Sequence, residues 1–417
     1  MGDKVPHTDF VQTPVNNELE CIVEYTETSF AEDSLGSSYL LDENILESPI
    51  EKKQEEVRKL KQELLLQEIE VLETTSRANS FTSFNGWGSA VHVLFDPTEH
   101  ASNAQRLHAL MTQDLVDSRM GGYFLQWDGK GIAINPGKQF LERFFTKGHH
   151  IREIDYVIVT AKESTAWADL ETISTMNKEI NALLEEYEKE PHFISYFLHP
   201  MVFATAVRLF RPSCREEANA VKSLESFSAL EHISLHSSID LFYTASLKKD
   251  SLLLRFELAM YEQEKIVFGY LSQVPWKECY AEFFATCQYL ILGLGGGGGG
   301  KSNFQDREKL AQPKHTLGYF GAYSALQALD SVRVAFLSEY GAGFGDIRLE
   351  FVKKMRSELE AVGKNCALFP IEQDVELDLA SFSVRLHGEI VPVEAVRVVR
   401  LQEPFCPLVF VSCDNVC

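Results

Sequence analysis

Residues 295–302 read GGGGGGKS and, taken literally, satisfy the pattern G-x-x-x-x-G-K-[ST]. In a loop of that kind backbone N–H groups cradle phosphates, a lysine reaches the outer phosphates and a hydroxyl holds magnesium. Gly295, Gly300, Lys301 and Ser302 would fill those roles. The strand-like YLILGL stands before the run, but NFQDREKLAQP after it is a weak helix ended by Pro313. Six glycines also satisfy any glycine-demanding pattern. The run therefore reads first as a flexible surface loop, with a nucleotide-binding switch as the alternative. The eight cysteines form no C-x-x-C pair, and Cys406, Cys413 and Cys417 are too irregularly spaced for a zinc site. Reduced, mostly buried thiols are the expectation. His149 and His150 follow Gly148 at a helix end and read as exposed caps, and His92 in AVHVLF reads as a strand residue. Spacing alone builds no Ser/His/Asp or Cys/His nucleophile.

The elements that could position such groups become regular after residue 85. GGYFLQWDGKGIAINPG (121–137) predicts a β-hairpin, with two apolar runs flanking the turn Asp128-Gly129-Lys130-Gly131. KQFLERFFTKG then predicts an amphipathic helix, and IDYVIVT (154–160) a buried strand. Helices are expected at 168–190 and 199–211, strands through 232–276, a helix–strand–helix unit over 318–362, and strands again in DLASFSVRLHGEIVPVEAVRVVRLQ. Strand–helix–strand order of this kind implies a layered α/β sandwich. Ahead of it, residues 1–50 are polar and acidic and read as a flexible tail. Residues 51–73, EKKQEEVRKLKQELLLQEIEVLE, give the strongest helix signal in the chain. Val57, Leu60, Leu64 and Val71 fall at heptad-like spacing, interrupted by Gln67. That stripe could pack on the chain's own domain or bind a partner.

The hairpin, the helix, IDYVIVT and ADLETI together resemble the metallo-β-lactamase superfamily. More narrowly they are similar to a bacterial hydrolase-like branch that reads GGYFL-W-GKGI-IDPG and then ID-IIVTH-H-DH-ADLE. The resemblance runs from about residue 119 to 360. It implies a four-layer αββα sandwich, spanning 80–417 here, preceded by the acidic tail (1–50) and the amphipathic helix (51–75). It also implies a metal site at the sheet edges, where H-x-H-x-D-H on one loop helps to bind two zinc or similar ions and activate a water.

The same resemblance locates the ligand positions, and they hold other residues. Thr160 and Ala168-Asp169-Leu170-Glu171 flank the loop in register. Between them the first His position is Ala161, the second Glu163, the Asp position Thr165 and the last His Ala166, with Lys162 alongside. Asn135 replaces the early Asp, and Gln273 replaces the Asp expected after a strand. His236 is placed, by a loose match, at the third-motif His, and His315 matches the final His of an N-H-L-G motif. Alanine and threonine do not replace these ligands, and one carboxylate does not rebuild a dinuclear site. The resemblance therefore implies a degenerate member with no bound cofactor, zinc being the alternative. If a metal is held, Glu163, His236 and His315 are its expected ligands.

Composition narrows the partners. The chain has 417 residues, 39 basic and 61 acidic side chains, and a net charge of −22 (39 − 61). Half of that charge, 7 − 18 = −11, sits in residues 1–77. Such a balance argues against nucleic acid as a direct ligand and against an anionic membrane. No apolar export segment opens the chain and no run approaches the ~20 residues that span a bilayer, so a cytoplasmic location is expected. The leading functional expectation is a binding or scaffolding subunit, partnered by a protein, by another copy or by an active relative of the same fold. The alternative enzyme is a hydrolase of phosphodiester or other ester bonds, rebuilt on Glu163, Asp169, His236 and His315.

Overall fold

The computed structural model describes residues 57–60, 62–64, 66–67, 79–83 and most of 121–412. Within that last span, 211–214, 226–229, 248–249, 261–263, 295–316, 340–347, 371–375, 387–388, 394–395 and 400–408 lie outside the description. The tail (1–50), His92, Val71, the glycine run with Lys301 and Ser302, and His315 all fall outside the described residues. The chain divides into two units, 1–60 and 61–417. Of the first, residues 57–60 are helical, with Val57 and Leu60 exposed. In the second, 62–64 and 66–67 are helical. Leu64 is exposed there, whereas Leu66 packs against the helix-side core described below.

The expected hairpin forms between β2 (Tyr123–Trp127) and β3 (Lys130–Ile134). Its turn is tighter than the four residues expected. Only Asp128 and Gly129 lie between the strands, with φ of 49° and 72°. Two left-handed residues in a row match the twist of the flanking strands, and Asp-Gly supplies them at low cost. Helix α1 (Phe140–Thr146), β4 (Tyr156–Val159), helix α2 (Leu170–Glu186), β5 (Ser195–Leu198), helix α3 (Pro200–Phe210) and β6 (Val221–Ser223) follow. The strands β3 to β6 are parallel neighbours. On the other side of the hairpin stand β1 (Ser80–Ser83), β14 (Glu376–Asp378), β15 (Ser383–Leu386) and β16 (Glu389–Pro392), all antiparallel. The result is a nine-stranded mixed sheet.

The second sheet has seven strands. It starts with an antiparallel meander of β7 (Glu231–His236), β8 (Ile239–Ala245), β9 (Leu252–Ala259) and β10 (Lys265–Ser272). Parallel strands β11 (Tyr289–Gly293), β12 (Val334–Ser338) and β13 (Ala367–Pro370) complete it. Helix α4 (Gly318–Ala328) and helix α5 (Arg348–Ala361) provide the crossovers beside it. A separate pair, β17 (Val396–Val399) and β18 (Val409–Ser412), lies near the end of the chain.

Three apolar clusters define the layering. The central one draws Phe81, Tyr123 and Ile132 from the first sheet and Phe256, Phe268 and Phe336 from the second. One outer cluster joins the far face of the first sheet to α1, α2 and α3. The other joins the far face of the second sheet to α4 and α5. Period-two alternation along each strand sends successive side chains to the inter-sheet and helix-side cores. Strands buried on both faces, such as YLILG and VAFLS, therefore read as unbroken apolar runs. The architecture is a four-layer αββα sandwich.

Candidate functional site

In parallel sheets the residues just past the strands' carboxyl ends line a crevice suited to ligands. Here both sheets present such ends at one edge. Asn135 follows β3, Thr160 follows β4 and His199 follows β5 in the first sheet. Gln273 follows β10 and Glu339 follows β12 in the second. Asn135, Gln273 and Glu339 are all left-handed, at φ 49°, 58° and 54°. Non-glycine residues held in that region concentrate at functional sites.

Asn135 joins the sheets. Its Nδ2 donates to Thr160 Oγ1 at 2.8 Å and, across the sandwich, to Tyr270 OH at 2.8 Å. Its Oδ1 accepts from the Thr160 backbone N–H at 2.8 Å. Burial, then the nearby Glu339 carboxylate, pushes the Tyr270 phenol well above its ordinary range, so it stays protonated. Glu339 in turn accepts from Ser272 Oγ at 2.8 and 2.7 Å. Gly293 sits under this pair. A Cβ there would stand 2.4 Å from Ser272 Oγ, so only glycine lets β11 pass. Tyr123 OH donates to Ser338 Oγ at 2.8 Å and closes the group.

The loop that the resemblance marks as metal-binding crosses the same edge. Ala161 is buried and bridges to Ser251, while Leu252 N–H donates to Thr160 O at 2.9 Å. Continuing the β9–β10 register, in which Tyr270 faces Leu254, sets Gln273 opposite Ser251. Lys162 reaches over to Asp250 at 2.7 Å. A short 3-10 turn, Ser164–Ala166, then leads to Asp169, and Ala166 is buried. Four buried oxygens in these segments have no hydrogen-bond partner: Glu163 Oε2, Thr165 Oγ1, Ser251 Oγ and Gln273 Oε1.

These residues do not fit a dinuclear zinc centre. Ala161 and Ala166 have no donor atom, and both ends of the Asn135 amide are engaged. Glu163 is the one carboxylate on the loop itself, among hydroxyl and amide oxygens, whereas zinc sites are built from imidazole, thiolate and carboxylate. Among the described residues no group of three His, Cys, Asp or Glu side chains is arranged to hold a metal ion.

One expected ligand does not come to this edge. His236 ends β7, and its Nδ1 lies 3.7 Å from Asp128 in the β2–β3 turn, at the opposite end of β3 from Asn135. The strand that does reach the edge is β8, through the connection 246–251, so Asp250 and Ser251 face the loop where the histidine was expected. Asp169, a member of the rebuilt hydrolase set, lies beside this edge, where its N–H donates to Pro136 O at 3.1 Å, and its carboxylate accepts from the Leu141 N–H at 2.9 Å at the start of α1. Desolvation of this half-buried carboxyl raises its pKa.

His149 and His150 also differ from the reading as exposed caps. His149 stacks on Phe144 at 4.8 Å and meets Glu153 at 3.0 Å. His150 does cap: its Nδ1 accepts from the Arg152 N–H in a reciprocal capping box with Glu153.

His199 is the edge residue that the sequence motifs did not reveal. It is 2% exposed, its N–H donates to Val159 O at 2.8 Å, and its Nδ1 accepts from the Met201 N–H at 3.3 Å. The only available signal was a buried apolar run, YFL, ending in His-Pro.

No family model matches this chain, and no curated protein does. Solved structures do. The metallo-beta-lactamase fold protein YhfI from Bacillus subtilis aligns with a TM-score of 0.47 at 10% identity, over 71% of this chain and 97% of that one. Human tRNase Z, short form, aligns at 0.40 and 9% identity, over 72% and 99%. A long form RNase Z from yeast aligns at 0.37 and 12%, over 52% and 34%. The layering, the strand order and the position of the 160–169 loop stand on this chain's own geometry. By that geometry the chain has the αββα sandwich of the metallo-β-lactamase fold.

Proposed function

We propose that this chain works by binding rather than by turnover, as a non-catalytic subunit of an assembly. Its partner is then a protein, either a second copy or an active enzyme of the same fold. The observation that carries this reading is the donor chemistry of the 161–166 loop. Buried alanines stand at two positions that the resemblance marks for ligands, and the neighbouring Asn135 is committed to an inter-sheet hydrogen-bond network. An edge closed by amide and hydroxyl groups positions strands, but it activates no water.

A further feature supports a binding role. Val57, Leu60 and Leu64 are 53%, 57% and 52% exposed, an apolar stripe in a strongly charged segment. Single exposed apolar residues are ordinary, but a repeat at helical spacing is a docking pattern. No helix among the described residues is long and apolar enough to cross a membrane.

The test is elemental analysis of the purified chain together with a phosphodiesterase assay on bis-p-nitrophenyl phosphate, with and without added zinc or manganese. Substoichiometric metal and no turnover are expected. Near-stoichiometric metal, with turnover that Glu163→Ala abolishes, would overturn the reading in favour of a rebuilt hydrolase. Lys301→Ala tests the nucleotide-switch alternative, since thermal stabilisation by ATP or GTP that this change removes would revive it.

A further inference from the structure

At the other end of β12 from Glu339, just before Val334, Arg333 borders an open cleft of about 480 Å³. The volume falls within the range of small-molecule sites, roughly 300–1,000 Å³. The cleft lies where the edge of the second sheet meets the last strands of the first. Its floor belongs to the inter-sheet core: Val334, Phe369, Val393 and Val396 are all buried and all line it. Its rim is cationic. Arg333, Arg356 and Lys364 stand there with one carboxylate, Glu360.

The three cations are not equivalent. Lys364 is paired with Asp330. Arg333 lies 3.9 Å over the ring of Phe382, and that ring is stacked on Tyr289 at 4.7 Å. Phe382 holds φ at 51°, a conformation that phenylalanine rarely adopts. Tyr289 is fixed by its own hydroxyl, which donates to Leu379 O at 2.7 Å. The Arg333 guanidinium thus rests on a rigid aromatic stack, and among the described residues its N–H groups are left for a ligand. One Arg356 nitrogen, Nη2, donates to Leu368 O at 3.0 Å, which anchors that side chain on the adjoining wall. Among the described residues neither guanidinium pairs with a carboxylate, in a chain whose net charge is −22. Glu360 is one helical turn from Arg356 and makes no ion pair among the described residues, so the rim keeps a net positive charge.

A planar guanidinium presents paired donors that match carboxylate and phosphate oxygens. We propose that this cleft is a binding site for a small organic anion, whose phosphate or carboxylate head is held between Arg333 and Arg356 and whose apolar body rests on Phe369, Val393 and Val396. The site is separate from the edge around Asn135, with the length of a strand between them. It does not depend on the subunit role proposed above.

Calorimetric titration of the full chain tests this with phenyl phosphate and benzoate as probes, and inorganic phosphate and phenol as controls. Binding of phenyl phosphate, benzoate or both is expected, at least tenfold tighter than either control. The preferred probe identifies the head group. Arg333→Ala and Arg356→Ala should each weaken binding at least tenfold. Arg333→Lys and Arg356→Lys, which keep charge but lose the fork, should recover only part of it. Melting temperatures measured beside the titrations separate lost binding from lost fold. No binding of either probe at 5 mM, or binding unaffected by both alanine variants, overturns the proposal. Inorganic phosphate binding as tightly as phenyl phosphate removes the apolar half of it.

Discussion

Asn135 shows how much a single side chain can carry at the edge of a sandwich. It stands where the superfamily resemblance places an aspartate. Its amide serves three partners, one of them on the opposite sheet. Asn135→Ala strands the Thr160 N–H and removes a donor from the Tyr270 hydroxyl, and both groups are buried. Leaving such a group unpaired costs about 1–3 kcal/mol, so the variant should melt several degrees lower. Asn135→Asp should lose less, because both hydroxyls can turn to donate to the new carboxylate. Thermal denaturation of the pair checks this, and equal losses would show that the amide network is not what holds the edge. The position of Asn135 was legible because NPG follows a hairpin signal and precedes a helix. The positions of His199 and of the Asp250–Ser251 segment were not. Both depend on how far a strand runs before it ends, and apolar alternation fixes that only to within a few residues. His236 was misplaced for the same reason. EHISLH resembles a ligand segment, but the meander turns back after it, and the next connection reaches the edge.

Among the elements, the hairpin, the strands β4 and β12 and the long helices were foreseen, because each has a period or a turn of its own, whereas the parallel strands β5, β6 and β13 were not. The packing of the helix around residues 57–67 was not, since periodicity names a stripe without saying what covers it. Leu66, off that stripe, is the residue packed on the sandwich. Leu66→Asp should therefore lower stability by about 1–2 kcal/mol, part of what a fully buried leucine contributes. Leu60→Asp and Leu64→Asp should leave it nearly unchanged, and a denaturant titration of the three distinguishes them. A second element, the connection from α2 to β5, is pinned by His192. Its Nε2 contacts Ile154 O at 2.8 Å, and its backbone exchanges hydrogen bonds with Asn181. Burial lowers the imidazole pKa below its ordinary 6.5. The unfolded chain then binds the extra proton first as pH falls. This contribution is complete above about pH 6.5 and is lost as pH drops through the depressed folded value. His192→Gln should flatten the melting profile between about pH 5 and 7 relative to the parent. Parallel profiles would show that the imidazole does not titrate on unfolding.

At the scale of the whole molecule, what could not be read in advance is closure. β1 pairs with β14 from Ser80 to Asp378, 298 positions away (378 − 80), and no local pattern announces so distant a partner. Closure also supplies stability that needs no metal. The central core buries Phe81, Phe268 and Phe336 between the sheets, with Phe81 and Phe268 rings 5.0 Å apart, and the Asn135–Tyr270 bond fastens the edge. A chelator should accordingly leave the melting temperature unchanged, and a fall of several degrees would mean that a metal contributes to the fold. The remaining question at this scale is association. A 23-residue helix over 51–73 would be about 35 Å long, enough for three heptads. By their spacing in the sequence Val57, Leu60 and Leu64 would give that length an apolar seam, which Gln67 would weaken. If the seam joins this chain to a second copy, the double change Leu60→Asp, Leu64→Asp should lower the mass in solution at a nearly constant melting temperature. Light scattering beside calorimetry reads both quantities from one preparation. A mass that starts at one chain and stays there would exclude the homo-oligomer and leave a different protein as the occupant. A melting temperature that falls with mass unchanged would mean that the seam packs on its own chain, and the binding surface would then have to be sought at the Asn135 edge.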